Sequence, residues 1–242
     1  MVAVAREGAF TIGEGRIDAG SAAPCLHRHD HDETYYVLAG ELTFQLGGEL
    51  LSARERRCVF VPGGVPHAVA NLGPSDARHL TVCTPPPGPG TPGQRPLRTG
   101  AARPVPELPG RVKVLVRGAD SGGRVAVMDN AIEPGHIGPP LHHHAFDEAF
   151  YVLEGVLMFR LDDEDVTLGA GELAFAPGGT PHTFANCSGR DARMLIVCTP
   201  AGFERYFQRL AENESGAAPP PDDLEAWPEL TLVGPRIGDE AG

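Results

Sequence analysis

The chain has 242 residues, 41% of them hydrophobic, and a formal net charge of −12. That length holds one large domain or two small ones. The negative charge and the lack of any basic stripe argue against a nucleic-acid partner. No apolar run reaches the roughly 18–20 residues of a spanning helix, so no membrane partner is expected. Residues Met1–Glu7 lack the charged start and apolar core of a signal peptide, which makes the cytoplasm the expected location. Lys113 is the only lysine, which disfavours Schiff-base catalysis. The cysteines Cys25, Cys58, Cys83, Cys187 and Cys198 are odd in number and include no Cys-x-x-Cys. They are neither a disulfide framework nor a zinc ribbon. Cys83 and Cys198, within apolar runs, read as small buried hydrophobes.

In chain order, Phe10-Thr11-Ile12 and Arg16-Ile17-Asp18 read as short strands broken by Gly13, Gly15 and Gly20. Tyr35–Leu38 is a β-rich run ending at Gly40. Leu42, Phe44 and Leu46 alternate with polar residues, the period of a strand with one buried face. Gly47-Gly48 marks a hairpin turn. Cys58–Val61 is a strand stopped by Pro62-Gly63-Gly64, and Ala68–Ala70 and Leu80–Cys83 follow. Nine prolines between Pro85 and Pro109 then mark an extended linker. From about residue 111 the strand pattern resumes with Val112, Val114 and Val116. Phe203, Tyr206, Phe207 and Leu210 fall at helical spacing, a packing helix. Residues 215–223 are Pro-rich and acidic, and Trp227–Pro235 forms a last strand or a docked tail. The expected domains are 1–86, a linker at 87–110, a second domain with its helix at 111–214, and a tail at 215–242.

The second half repeats the first at a constant shift. Leu80-Thr81-Val82-Cys83-Thr84-Pro85 returns as Leu195-Ile196-Val197-Cys198-Thr199-Pro200, and Gly40 as Gly155. The repeat carries a chemical group. His27, His29, Glu33 and His67 have the same spacings as His142, His144, Glu148 and His182. Two histidines two apart on a strand face the same side. Neutral imidazoles and a carboxylate form a ligand set for a divalent transition metal, and the same set serves Fe, Mn, Co, Ni or Zn. Many short strands with one credible helix read as all-β. Strand-borne ligands converge only if the sheet closes into a barrel.

Each half resembles a cupin. The first cupin motif stands as His27, His29, Glu33, Gly40 and as His142, His144, Glu148, Gly155. The second stands in full as Gly171, Pro177, Gly179, His182, Asn186, and as Pro62, Gly64, His67, Asn71 with Arg56 where glycine belongs. The resemblance implies two tandem jelly-roll (double-stranded β-helix) barrels and one metal per barrel. The second half is similar to small bacterial quercetin dioxygenase-like cupins. This implies a dioxygenase acting on an aromatic or enol-type small molecule, with Glu148 and Glu33 either as ligands that also take the substrate's proton or as ligands alone. A non-redox isomerase or cyclase of natural-product biosynthesis, and a binding cupin without turnover, are the alternatives; a homodimer is compatible with all three. Around the ligands, His143 is expected to face solvent, His31 the rim, and Cys25 the cavity. Tyr35 and Phe150 line the interior or its core, and Asn71 and Asn186 hold turns.

Overall fold

The computed structural model describes residues 2–7, 10–84, 112–207 and 230–239. The Pro-rich stretch from 87 to 110, Leu210 and Trp227 lie outside them. The described residues form two compact units. The first holds everything up to Thr84 together with Ala119–Arg124, and the second holds Val112–Gly118 and everything from Val125.

The first unit is built from β1 (Val2–Glu7), β2 (Phe10–Ile17), β3 (Ser21–His27), β4 (Asp32–Ala39), β5 (Glu41–Leu46), β6 (Glu49–Arg54), β7 (Cys58–Val61), β8 (His67–Asn71) and β9 (Ala77–Thr84). Two antiparallel sheets result, β1-β2-β9-β4-β7 and β3-β8-β5-β6. The second unit contains β10 (Val112–Val116), the short helix α1 (Gly118–Ser121), shared with the first unit, β11 (Ala126–Ile132), β12 (His142–His143), β13 (Asp147–Glu154), β14 (Val156–Leu161), β15 (Glu164–Gly169), β16 (Leu173–Ala176), β17 (His182–Ala185), β18 (Ala192–Thr199) and β19 (Thr231–Leu232). Its sheets run β10-β11-β18-β13-β16 and β15-β14-β17-β12-β19. Each unit is thus a jelly roll, and the all-β tandem architecture expected from the repeat is present.

The repeat dictates the same local solutions twice. Gly40 and Gly155 turn the chain between β4 and β5 and between β13 and β14, at φ 78° and 76°. A Cβ at either would lie under 3 Å from a backbone oxygen, of Asp76 or of Asp191, so only glycine fits. Asn71 donates to the carbonyls of Ile17 and Ser75 and accepts from the Gly73 amide. Asn186 does the same with Ile132, Arg190 and Ser188. Both asparagines hold turns, as expected. Asp32 and Asp147 each accept the amide of the Pro-Gly-Gly turn, from Gly63 and Gly178.

One expectation needs correction. Gly13 and Gly15 do not break a strand: β2 runs unbroken through both. At Gly15 the His79 ring occupies the space a side chain would need. Arg56 keeps the left-handed turn of the glycine it replaces, at φ 65° against 92° at Gly171. Thr231–Leu232 forms a strand beside His142–His143, in line with the last strand expected within residues 227–235, and so joins the second barrel's sheet.

Candidate metal centres

His27 closes β3 and His67 opens β8, and the two are paired in register. Glu33 sits at the start of β4. His142 and His182 are paired in the same way across β12 and β17, and Glu148 lies at the start of β13. The middle histidines differ from the expectation of two ligands on one strand. His29 and His144 lie just past the strand ends, in the loops that lead to Glu33 and Glu148. Their positions are set by hydrogen bonds instead of by pleat alternation.

All six rings are clamped alike. His27, His67, His142 and His182 each donate Nδ1–H to the carbonyl two residues earlier, Cys25, Val65, Pro140 and Thr180, at 2.9–3.0 Å. His29 and His144 donate to the carbonyl two residues later, His31 and Phe146, at 2.8 and 2.9 Å. A carbonyl only accepts, so Nδ1 carries the proton and a neutral ring presents its Nε2 lone pair. In the first barrel, His29 and His67 bring Nε2 to 3.2 Å from Glu33 Oε2. In the second, His144 and His182 bring Nε2 to 2.8 and 3.1 Å from Glu148 Oε2. The third rings close the clusters, with His27 4.4 Å from His67 and His142 4.6 Å from His182 between centroids. Each histidine trio places its ligand atoms within 4.8 Å of one another.

Lone pairs facing a carboxylate repel unless a cation lies between them. His29 Nε2 is buried with no hydrogen-bond partner. The donor set therefore fits a divalent metal. Burial pushes Glu148 up, but its bonds to His144 and His182 and their charges outweigh this and hold it at about 2. Burial also opposes ionisation of Glu33, which His67, Tyr35 and His29 together hold at about 2. The Glu33 bond raises His67. Burial, then the neighbouring His182 charge, lowers His142.

The surroundings of the two centres differ. His31 stacks on His29 at 3.7 Å and places Nε2 3.6 Å from Glu33 Oε1, the rim position expected for it. In the second barrel Phe146 stacks on His144 at 3.4 Å, with Phe203 5.6 Å from Phe146. The His29 side chain keeps 18% of its surface exposed, against 1% for His144. His143 is half-buried. Cys25, expected toward the cavity, is exposed. Cys83 and Cys198 are more than small hydrophobes. Their thiols face Glu33 Oε1 and Glu148 Oε1 at 3.9 and 3.8 Å, and burial with the nearby carboxylate pushes Cys83 up to about 11. The Tyr35 hydroxyl, expected only to line the interior, donates to Glu33 Oε2 at 2.7 Å. Burial, then the Glu33 charge, keeps that phenol protonated. Phe150 stands in its place in the second barrel, within the apolar core.

The cupin domain model matches the chain twice, over residues 13–83 and 130–198. The chain is a cupin. The two matched regions make it a bicupin, with one motif pair in each. Among curated proteins, an acireductone dioxygenase of Sulfurihydrogenibium sp. (strain YO3AOP1) is 35% identical over 79 residues, 31% of this chain and 42% of that protein. The chain therefore matches less than half the length of that relative. Among solved structures, AerE from Microcystis aeruginosa aligns at a TM-score of 0.64 and 15% identity, covering 79% of this chain and 88% of that one. An oxalate decarboxylase of Bacillus subtilis aligns at 0.62 and 16% identity, covering 80% and 69%. At such identities these likenesses show the bicupin fold alone. Among the described residues, no helix is long and apolar enough to cross a membrane.

Proposed function

We propose that this bicupin is a metal-dependent enzyme acting on a small molecule. Its divalent transition metals would be held by His27, His29, Glu33 and His67 in one barrel and by His142, His144, Glu148 and His182 in the other. One observation carries the reading: six imidazoles are each fixed through Nδ1 on a carbonyl, so that Nε2 is free to face the metal. Fe, Mn, Co, Ni and Zn all suit such ligands. A bound ion would polarise a substrate oxygen and lower the cost of placing negative charge there.

The protein's own groups supply the rest. Glu33 Oε2 is engaged by His29, His67 and Tyr35. Among the described residues, Oε1 has the Cys83 thiol and the His31 ring near it. Oε1 is thus the atom to take a proton from a substrate hydroxyl, and His31 at the rim is placed to pass it outward. Glu148 Oε1 faces Cys198 within a fully buried site. Dioxygenation of an aromatic or enol-type substrate is the first reading, supported by the resemblance of the second half and by the dioxygenase relative. Non-redox isomerisation or cyclisation is the second. It is favoured by the Tyr35–Glu33 pair, which puts two proton-handling groups beside the more accessible centre.

The test is oxygen uptake by the full chain loaded in turn with Fe, Mn, Co, Ni and Zn, with quercetin and simple enols as substrates. Uptake that is lost in His29→Ala supports the dioxygenase. Turnover of the zinc form without oxygen supports the second reading. Neither, across all five metals, overturns the enzyme reading for these substrates.

A further inference from the structure

Strand pairing resolves the two barrel interiors into layers. The metal layer of the first barrel is Thr11, Cys83, Glu33 and Val61, residues paired in register across β2, β9, β4 and β7. Beneath it lie Gly13, Thr81, Tyr35 and Val59, then Gly15, His79 and Val37. Side chains two apart on a strand face the same way, so these residues share the interior with Glu33. In the second barrel the same positions are Met128, Ile196, Phe150 and Ala174, then Asn130, Met194 and Val152. Most of these belong to its hydrophobic core.

Thr81 and His79, standing where the second barrel has Ile196 and Met194, leave polar atoms inside without partners. Among the described residues, the buried side-chain nitrogen and oxygen atoms lacking a hydrogen bond are His29 Nε2, His79 Nδ1, Thr81 Oγ1 and Thr84 Oγ1, all in the first unit. Thr81 and His79 are 2% and 6% exposed. Buried polar groups are nearly always paired, and an unpaired one is destabilising. The His79 ring lies against the Gly15 backbone, and its centroid is 5.5 Å from that of Tyr35. It therefore reaches toward the Thr81 layer.

We propose that Thr81 and His79 form a binding subsite beneath the first metal centre, for an uncharged hydroxyl or carbonyl group of the substrate. This rests on the first centre holding a metal. The step from the metal layer to the Thr81 layer is two strand residues, about 7 Å, the reach of a metal-chelating six-membered ring with a substituent on its far side. A molecule oriented by the metal through an enol oxygen would place the far side of its ring there. Neither lower layer contains arginine or lysine, Glu33 lies directly above, and burial lowers the basicity of His79. The subsite accordingly selects a neutral group over a carboxylate. Thr81 and His79 determine specificity, and the second barrel, with Ile196 and Met194 there, has no equivalent.

The test is isothermal titration of the zinc-loaded full chain with three pyranones that share one enol-carbonyl chelate. Kojic acid carries a hydroxymethyl group opposite it, allomaltol a methyl and comenic acid a carboxylate. Kojic acid should bind about fivefold to tenfold tighter than allomaltol, the worth of one added hydrogen bond, and tighter than comenate. Thr81→Val, which exchanges a hydroxyl for a methyl at nearly constant shape, should erase the preference for kojic acid and leave allomaltol binding and zinc content unchanged. His79→Met should do the same. Equal affinity for kojic acid and allomaltol, or a preference that survives both substitutions, would overturn the subsite. Failure of all three probes to bind, or binding that persists in His29→Ala, would overturn the metal reading instead.

Discussion

The two barrels share ligands, clamps, turns and a thiol facing each glutamate, yet differ in most of what else surrounds the ligands. In the first, the middle histidine is partly exposed and stacked on His31, Tyr35 bonds the carboxylate, and Thr81 and His79 lie beneath. In the second, Phe146 and Phe203 cover the middle histidine, Phe150 replaces the tyrosine, and Met128, Ile196 and Met194 fill the interior. A catalytic metal keeps an open position, whereas a structural one is enclosed. The comparison teaches that the repeated motif specifies where a metal can go. The wall beneath it specifies what else can enter.

That division can be broken most forcefully at the enclosed centre. His182→Ala should lower the stability of the second barrel by about 3–5 kcal/mol, because Glu148 stays buried after losing a partner. His67→Ala should cost less, since Glu33 retains Tyr35 and more contact with solvent. Chemical unfolding of the two metal-free variants measures the difference; equal losses would erase the distinction between the barrels. Tyr35→Phe copies the second barrel's residue into the first. It removes a hydrogen bond to a charged group, worth roughly 1.5–3 kcal/mol. Turnover should fall about tenfold or more, with a shift in the acidic limb of the pH–rate profile, whereas Phe150→Tyr should leave turnover unchanged.

Acid sharpens the comparison further. Both carboxylates are held at about 2 in the folded chain against an ordinary 4.5. A depressed carboxylate contributes stability above its unfolded value and loses it as pH falls through the folded one. The metal-free protein should therefore weaken between pH 4.5 and 2. Glu148→Gln and Glu33→Gln should each flatten that loss by a similar amount, since both carboxylates are depressed alike. The smallest effect expected is at Arg56, whose left-handed backbone costs an ordinary residue about 1–2 kcal/mol. Arg56→Gly, restoring the residue found at Gly171, should raise the first barrel's melting temperature by a few degrees. A fall would mean that the arginine side chain contributes more than its backbone costs.

Most of the fold and all eight candidate ligands were legible in the sequence, for one reason. The repeat presents the same histidines and glutamate twice at fixed spacing, and chance does not do that. The rest was hidden for physical reasons. β9 is buried on both faces, so Leu80-Thr81-Val82-Cys83 reads as one apolar run and its parity is invisible without a partner strand. Gly15 looks like a strand breaker because its role, admitting the His79 ring from β9, is a tertiary contact. The carbonyl clamps on the histidines are backbone features that no side-chain pattern records. Cys25 was assigned by strand parity at the point where β3 and β8 lose their register, between Ala23 and His27. Parity fails at such an irregularity.

The central claim is that the first centre admits a ligand and the second does not. Cobalt(II) makes each centre visible in turn. His144→Ala protein, with cobalt retained in the first barrel, should change its visible d–d spectrum when kojic acid is added. His29→Ala protein, with cobalt retained in the second, should show no change. A response from the His29→Ala protein, or none from the His144→Ala protein, would contradict the division between the barrels.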